Sequence, residues 1–128
     1  MPRSAVYFID LRADDTWNLL DKIHLLLKEA GLASRIPKRA LTAVKIHFGE
    51  RGNTAFVRPL LVRPIIDAIA EAGGRPFLTD AGTLYVGTRG NAVDHLLTAV
   101  RNGFVLEVVG APLIIADGLD GRDEVAVP

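Results

Sequence analysis

Two glycine-rich polar loops set the strongest limit on how this chain folds. Each lies between a strand-like apolar run and a helix-like run. The first reads Lys45-Ile46-His47-Phe48-Gly49-Glu50-Arg51-Gly52-Asn53-Thr54. The second reads Thr79-Asp80-Ala81-Gly82-Thr83-Leu84-Tyr85-Val86-Gly87-Thr88-Arg89-Gly90-Asn91. Strand–loop–helix junctions of this kind are where open α/β sheets hold ligands, because backbone N–H groups and helix N-termini converge there. Two such junctions on one short chain predict a shared pocket at one sheet edge.

The runs around the loops suggest the rest of the fold. Ala5-Val6-Tyr7-Phe8-Ile9-Asp10-Leu11 is short, apolar and rich in β-formers, and reads as a buried strand. Asp14, Asp15 and Thr16 offer an N-cap to an amphipathic helix marked by Trp17, Leu20, Ile23, Leu27 and Ala30 and closed by Gly31. Residues 41–48 form the second strand. Residues 57–72 read as a helix whose first turn suits Pro59. Pro64 would remove an interior hydrogen bond, so the helix is either kinked or starts near Arg63. Residues 75–79 form a third strand. Asn91 caps a helix over 92–102, with Asp94 as its capping-box partner. Residues 105–109, 113–116 and 124–127 read as further short strands. The β-α alternation predicts a single α/β domain over 1–128, with a mostly parallel open sheet and helices on both faces, in a Rossmann-like three-layer arrangement. The expected context is the N-terminal part of a longer protein.

Composition narrows the function. Fifteen basic and fifteen acidic side chains cancel, which argues against nucleic acid or an anionic membrane as partner. With no cysteine, the chain cannot form a disulfide, a thiolate zinc site or a cysteine-ligated cluster. No apolar run approaches the ~20 residues of a membrane span, and no charged segment followed by an apolar one opens the chain. The expectation is a cytoplasmic protein.

Candidate ligand-binding residues lie in and beside the loops. Lys45 and His47 alternate along a strand and so share a face. With the following helix N-terminus and the cations Arg51 and Arg58, they suit a small anion such as phosphate or carboxylate, and Asn53 and Thr54 would line the same wall. Asp80 ends a strand and would face the crevice. Thr83, Arg89, Asn91 and His95 would line the second wall, with Tyr85 either packing or contributing its hydroxyl. His47, Asp80 and His95 have the chemistry of a metal or acid–base set, but no His-x-x-x-His or His-Glu-x-x-His spacing accompanies them, and no metal is assigned. No nucleophile elbow is present, and the catalytic residues stay unassigned.

The stretch from Val44 to Val127 resembles the family known as domain of unknown function 362. The residues that carry the resemblance begin with Val44-Lys45-Ile46-His47-Phe48-Gly49-Glu50 and Gly52-Asn53-Thr54. They continue in Gly73-Gly74-Arg75-Pro76-Phe77-Leu78-Thr79-Asp80, Thr83-Leu84-Tyr85-Val86-Gly87-Thr88-Arg89 and Asn91-Ala92-Val93-Asp94-His95-Leu96, and end in Asn102-Gly103-Phe104, Val109-Gly110-Ala111-Pro112 and Ile115-Ala116-Asp117-Gly118-Leu119. The resemblance implies a ligand-binding domain of unassigned activity within an iron–sulfur or redox-linked, ferredoxin-associated protein, whose 4Fe-4S module would lie outside these residues. Two other readings stand beside it. One is a stand-alone module that binds a small anion or a protein. The other is a half-site of a racemase-like or metal-dependent enzyme, since the family is distantly similar to lactate racemase. A homo-oligomer formed through a sheet edge is also expected.

Overall fold

The computed structural model describes residues 3–127. Its first helix, α1 (Leu19–Glu29), starts later than the acidic cluster suggested. Asn18 caps it, accepting from the N–H groups of Leu20 and Asp21, while the Asp21 carboxylate reaches back to the Asn18 N–H. Asp14 instead ties a preceding turn, accepting from the N–H groups of Thr16 and Trp17 at 2.8 Å. A 3-10 turn (Leu32–Arg35) leads into β1 (Leu41–Lys45).

A second 3-10 turn, Pro59–Val62, runs straight into α2 (Arg63–Glu71). Pro64 therefore falls in the first turn of α2, where its missing N–H has no helical partner to lose. Strand β2 (Arg75–Asp80) follows, then α3 (Ala92–Arg101). Asn91 caps α3 by accepting from the Asp94 N–H at 2.9 Å. A single helical turn, α4 (Leu106–Val109), precedes β3 (Leu113–Ile115).

The three strands lie in the order β1-β2-β3, all parallel, with helices packed around the open sheet. Val44, Leu78 and Leu113 stand in one row across it. The core gathers Leu78 and Ile115 from the sheet, Val62 from the 3-10 turn before α2, Ile66 from α2, Ala92 and Ala99 from α3, Val109 from α4, and Phe48, Phe104 and Ala111 from the connections. Phe48 and Phe104 meet edge to face, with ring centroids 5.2 Å apart. No helix among the described residues is long and apolar enough to cross a membrane.

Three expected strands do not form. Residues 5–11 form no regular element and pair with no strand. Tyr7, Phe8 and Ile9 line a hollow with Leu25 and Leu26 of α1, and Asp10 is fixed by Lys22 at 2.6 Å. Residues 105–109 turn into α4, because a helical turn closes local bonds (Val109 N–H to Val105 C=O, 2.9 Å) while sinking Val109 completely into the core. Burial of one side chain outweighs the β-preference of the valines. Residues 124–127 run exposed along the surface without a ladder partner.

The first glycine loop shows why a side chain is excluded at one position. Gly49 has φ +82°, and a Cβ there would lie 2.5 Å from Asn102 Nδ2 and 2.8 Å from Phe56 Cδ1. Gly52 has nearly the same φ (+81°) but open space around it. Gly49→Ala is expected to cost roughly 2–4 kcal/mol from backbone strain plus overpacking, and Gly52→Ala only about 1–2 kcal/mol from strain alone. Urea denaturation of the two variants checks the difference, and equal losses would show that the Asn102–Phe56 contact imposes no constraint.

Candidate functional site

The strands end beside one another, and this places their last polar residues together. Lys45 closes β1 and Asp80 closes β2. The Asp80 carboxylate is buried at 3% exposure, yet every oxygen has a partner. Oδ1 accepts from Lys45 Nζ at 3.1 Å and from the Ala81 N–H at 3.0 Å. Oδ2 accepts from Arg89 Nη2 at 3.1 Å.

Arg89 reaches this carboxylate from the far end of the second loop. Its guanidinium is buried and spreads over four partners. Besides Asp80, Nη1 donates to Glu50 Oε1 at 2.9 Å and stands 2.6 Å from His47 Nε2. Its Nε–H donates to His95 Nε2 at 3.3 Å. The same Nε2 stands 3.4 Å from Asp80 Oδ2, and Nδ1 is buried without a partner. The Tyr85 hydroxyl donates to the same Glu50 oxygen. Arg89 thus joins residues of both loops and the first turn of α3 into one network.

The environment sets the charge states. Burial pushes the Asp80 carboxyl up, but the Lys45 hydrogen bond, the Ala81 N–H and the charges of Lys45 and Arg89 together outweigh it, so the group sits below the usual carboxylate range. Glu50 is also lowered, chiefly by the Tyr85 hydrogen bond, and that bond raises Tyr85 in turn. His95 is lowered, above all by burial, and is neutral at pH 7.

Five of the residues expected in the pocket meet here: Lys45, His47, Asp80, Arg89 and His95. Four others serve their own loops. Asn53 accepts from the Ala55 N–H at 2.7 Å and borders, with His47 and Phe56, a hollow of about 360 Å³ beside the network. Thr54 is exposed in the same loop. Thr83 donates its hydroxyl to the Tyr85 carbonyl and lines a separate cleft with Asp117 and Asp120. Asn91 is occupied as the α3 cap. Sequence reasoning missed Glu50 as a member and left Tyr85 undecided. The signal for Glu50 was its position as the only acid among the first loop's cations, facing a second loop that carries one arginine.

Among the described residues no group of three or more His, Asp and Glu side chains is arranged to hold a metal ion. An iron–sulfur cluster does not fit this chain either, since its thiolate ligands would have to come from cysteines the sequence lacks.

Fold and network together define a parallel-sheet α/β protein with a buried ionic network at the carboxyl ends of its strands. The chain belongs to the family described as domain of unknown function (DUF362), whose model matches residues 42–128. No curated protein and no solved structure matches it.

The two buried groups that are lowered, His95 and Asp80, predict a two-stage acid response. The folded-state pKa of His95 lies below the unfolded value of about 6.5. Its contribution is therefore complete above that pH and is lost as pH falls toward the folded value. The folded-state pKa of Asp80 lies below the unfolded value of about 3.9, so its contribution persists through the first stage and is lost at lower pH. Thermal unfolding followed by circular dichroism should show Tm declining first below about pH 6.5 and again below about pH 4. His95→Gln should remove the first decline. Asp80→Asn should reduce the second and cost roughly 3 kcal/mol at pH 7, because it leaves the buried Arg89 with Glu50 as its one carboxylate partner. A Tm profile unchanged in shape by both variants would contradict these assignments.

Proposed function

We propose that this chain is a ligand-binding α/β domain whose strand-end network receives a small oxyanion, a carboxylate or phosphate group carried by a polar molecule. The observation that carries the reading is the position of His47. Its Nδ1 accepts from the Gly49 N–H at 2.9 Å, and its Nε2 stands 2.6 Å from Arg89 Nη1. The exposed imidazole thus marks where the buried guanidinium comes nearest to solvent, and an oxyanion arriving there would gain a charge-assisted partner. The Lys45 ammonium, 68% exposed, stands on the same side of the strand as His47. Burying Asp80, Arg89 and His95 together adds little net stability, because desolvation offsets most of the attraction. A network of that kind at the carboxyl edge of a parallel sheet suits recognition better than support.

The family resemblance supports placing this domain within a redox-linked protein, where any cluster ligands would belong to residues other than these. Binding is the part of that function these side chains serve.

Nuclear magnetic resonance titration with inorganic phosphate and with acetate tests the proposal. Saturable shifts are expected at His47, Gly49 and Arg89. Lys45→Ala and His47→Ala should each weaken binding roughly tenfold or more, as expected for loss of a charge-assisted hydrogen bond. His47→Ala should leave Tm unchanged because its side chain is exposed, whereas Lys45→Ala should also lower Tm, since it removes a partner of the buried Asp80 carboxylate. Absence of saturation with either anion, or affinity unchanged in both variants, would overturn it.

A further inference from the structure

The free side of β1 and residues 5–11 have complementary shapes, backbones and charges. The Ala40 C=O accepts from the Arg75 N–H at 2.8 Å, and the Ile46 N–H donates to the Thr79 C=O at 3.0 Å. Even-numbered residues of this stretch therefore turn their backbone groups toward β2, and Leu41, Ala43 and Lys45 turn theirs outward. Those outward groups have no hydrogen-bond partner among the described residues. Leu41 is 71% exposed and Ala43 is exposed, in one side of the sheet with Phe77 and Ile114. An edge of this kind is a template for another strand.

Residues 5–11 have the composition of that strand. Their backbone groups are likewise without hydrogen-bond partners among the described residues, and Val6 and Phe8 are 90% and 87% exposed. The Asp10–Lys22 ion pair ties the segment to α1, beside a hollow that Tyr7, Phe8 and Ile9 line with Leu25 and Leu26, and α1 packs chiefly on α2 rather than on the sheet. A segment docked in this way is not placed on its own β1 edge.

We propose that residues 5–11 of one copy add as an antiparallel strand to the β1 edge of a second copy, and that the exchange is reciprocal. Charge selects the antiparallel direction. Lys38 and Arg39 precede β1, Asp14 and Asp15 follow the segment, and all four are exposed and outside any ion pair among the described residues. Antiparallel addition brings these opposite charges together, while parallel addition separates them; Arg12, which falls opposite Arg39 in this arrangement, keeps its own counter-charge in Asp10 at 3.7 Å. In the register that pairs Phe8 with Ala43, the Phe8 ring extends the row Ala43–Phe77 and covers the exposed side of the sheet. Reciprocal addition closes a two-fold dimer with no free β1 edge.

Sedimentation equilibrium of the chain should give about twice its 13.8 kDa mass. Ala43→Pro removes one outward N–H without touching the β1–β2 ladder, and Phe8→Asp places a charge in the new row. Each should yield a folded monomer. Because the chain has no cysteine, single-cysteine variants give a direct second test. An oxidised mixture of Phe8→Cys and Ala43→Cys chains should form a disulfide-linked heterodimer, confirming the pairing even if the proline variant fails to fold. A wild-type chain that stays monomeric at every concentration, or a Phe8→Cys/Ala43→Cys double variant that cross-links only within one chain, overturns the proposal.

Discussion

The ion pair between Asp80 and Arg89 is the contact on which the two polar loops depend. Asp80 is held by the sheet, whose ladder continues past it through the Ala116 N–H to Asp80 C=O bond at 2.9 Å. Arg89 lies nine residues later, at the end of a loop that exposes Leu84 and Val86 and includes Gly82, Gly87 and Gly90. Such a loop has little burial of its own to define it. Its path is set by what Arg89 reaches: a carboxylate from β2, a second carboxylate and an imidazole from the first loop, and an imidazole from α3. A lysine could not replace it, because one ammonium cannot address partners in that many directions within a plane.

The energetics favour position over stability. Desolvating Asp80 and Arg89 costs several kcal/mol for each ion before pairing offsets it. The unpartnered buried Nδ1 of His95 adds a further cost of about 1–3 kcal/mol. The hydrophobic cluster around Phe48, Leu78 and Phe104 meets these costs through ordinary apolar burial. Phe48 serves both purposes. Its ring fills the core against Phe104 and lies edge-on to His95, while the residues on either side of it, His47 and Gly49, shape the network.

Much of this was legible in the sequence where local chemistry decides the outcome. The Asn91 cap, the displacement of the α2 start by Pro64, and the breaks at the glycine loops each follow from a constraint on one or two residues. Lys45, His47 and Asp80 could be placed at the site because strand ends are recognisable. What sequence hides is how a distant segment answers a local preference. Residues 5–11 look like a strand and lack a neighbour. Residues 105–109 look like a strand and are drawn into a helical turn by the burial of Val109. Asp14 looks like the helix cap and is occupied by an earlier turn. Glu50 entered the site only because Arg89 and Tyr85 approach it from more than thirty residues away.

Helix α3 has a mechanical consequence for the walls of the site. Its first turn carries His95 into the network. Beyond its last residue, Asn102 donates to the Phe48 carbonyl at 2.8 Å, gripping the first loop from beneath. The helix therefore works as a spacer of fixed length, about 10 Å from His95 to Asn102 at 1.5 Å per residue. Adding or removing one residue within it would rotate one anchor by about 100° relative to the other. Length changes inside 92–101 would disturb both walls at once, whereas the same change at the exposed tip near Val86 would leave their spacing intact.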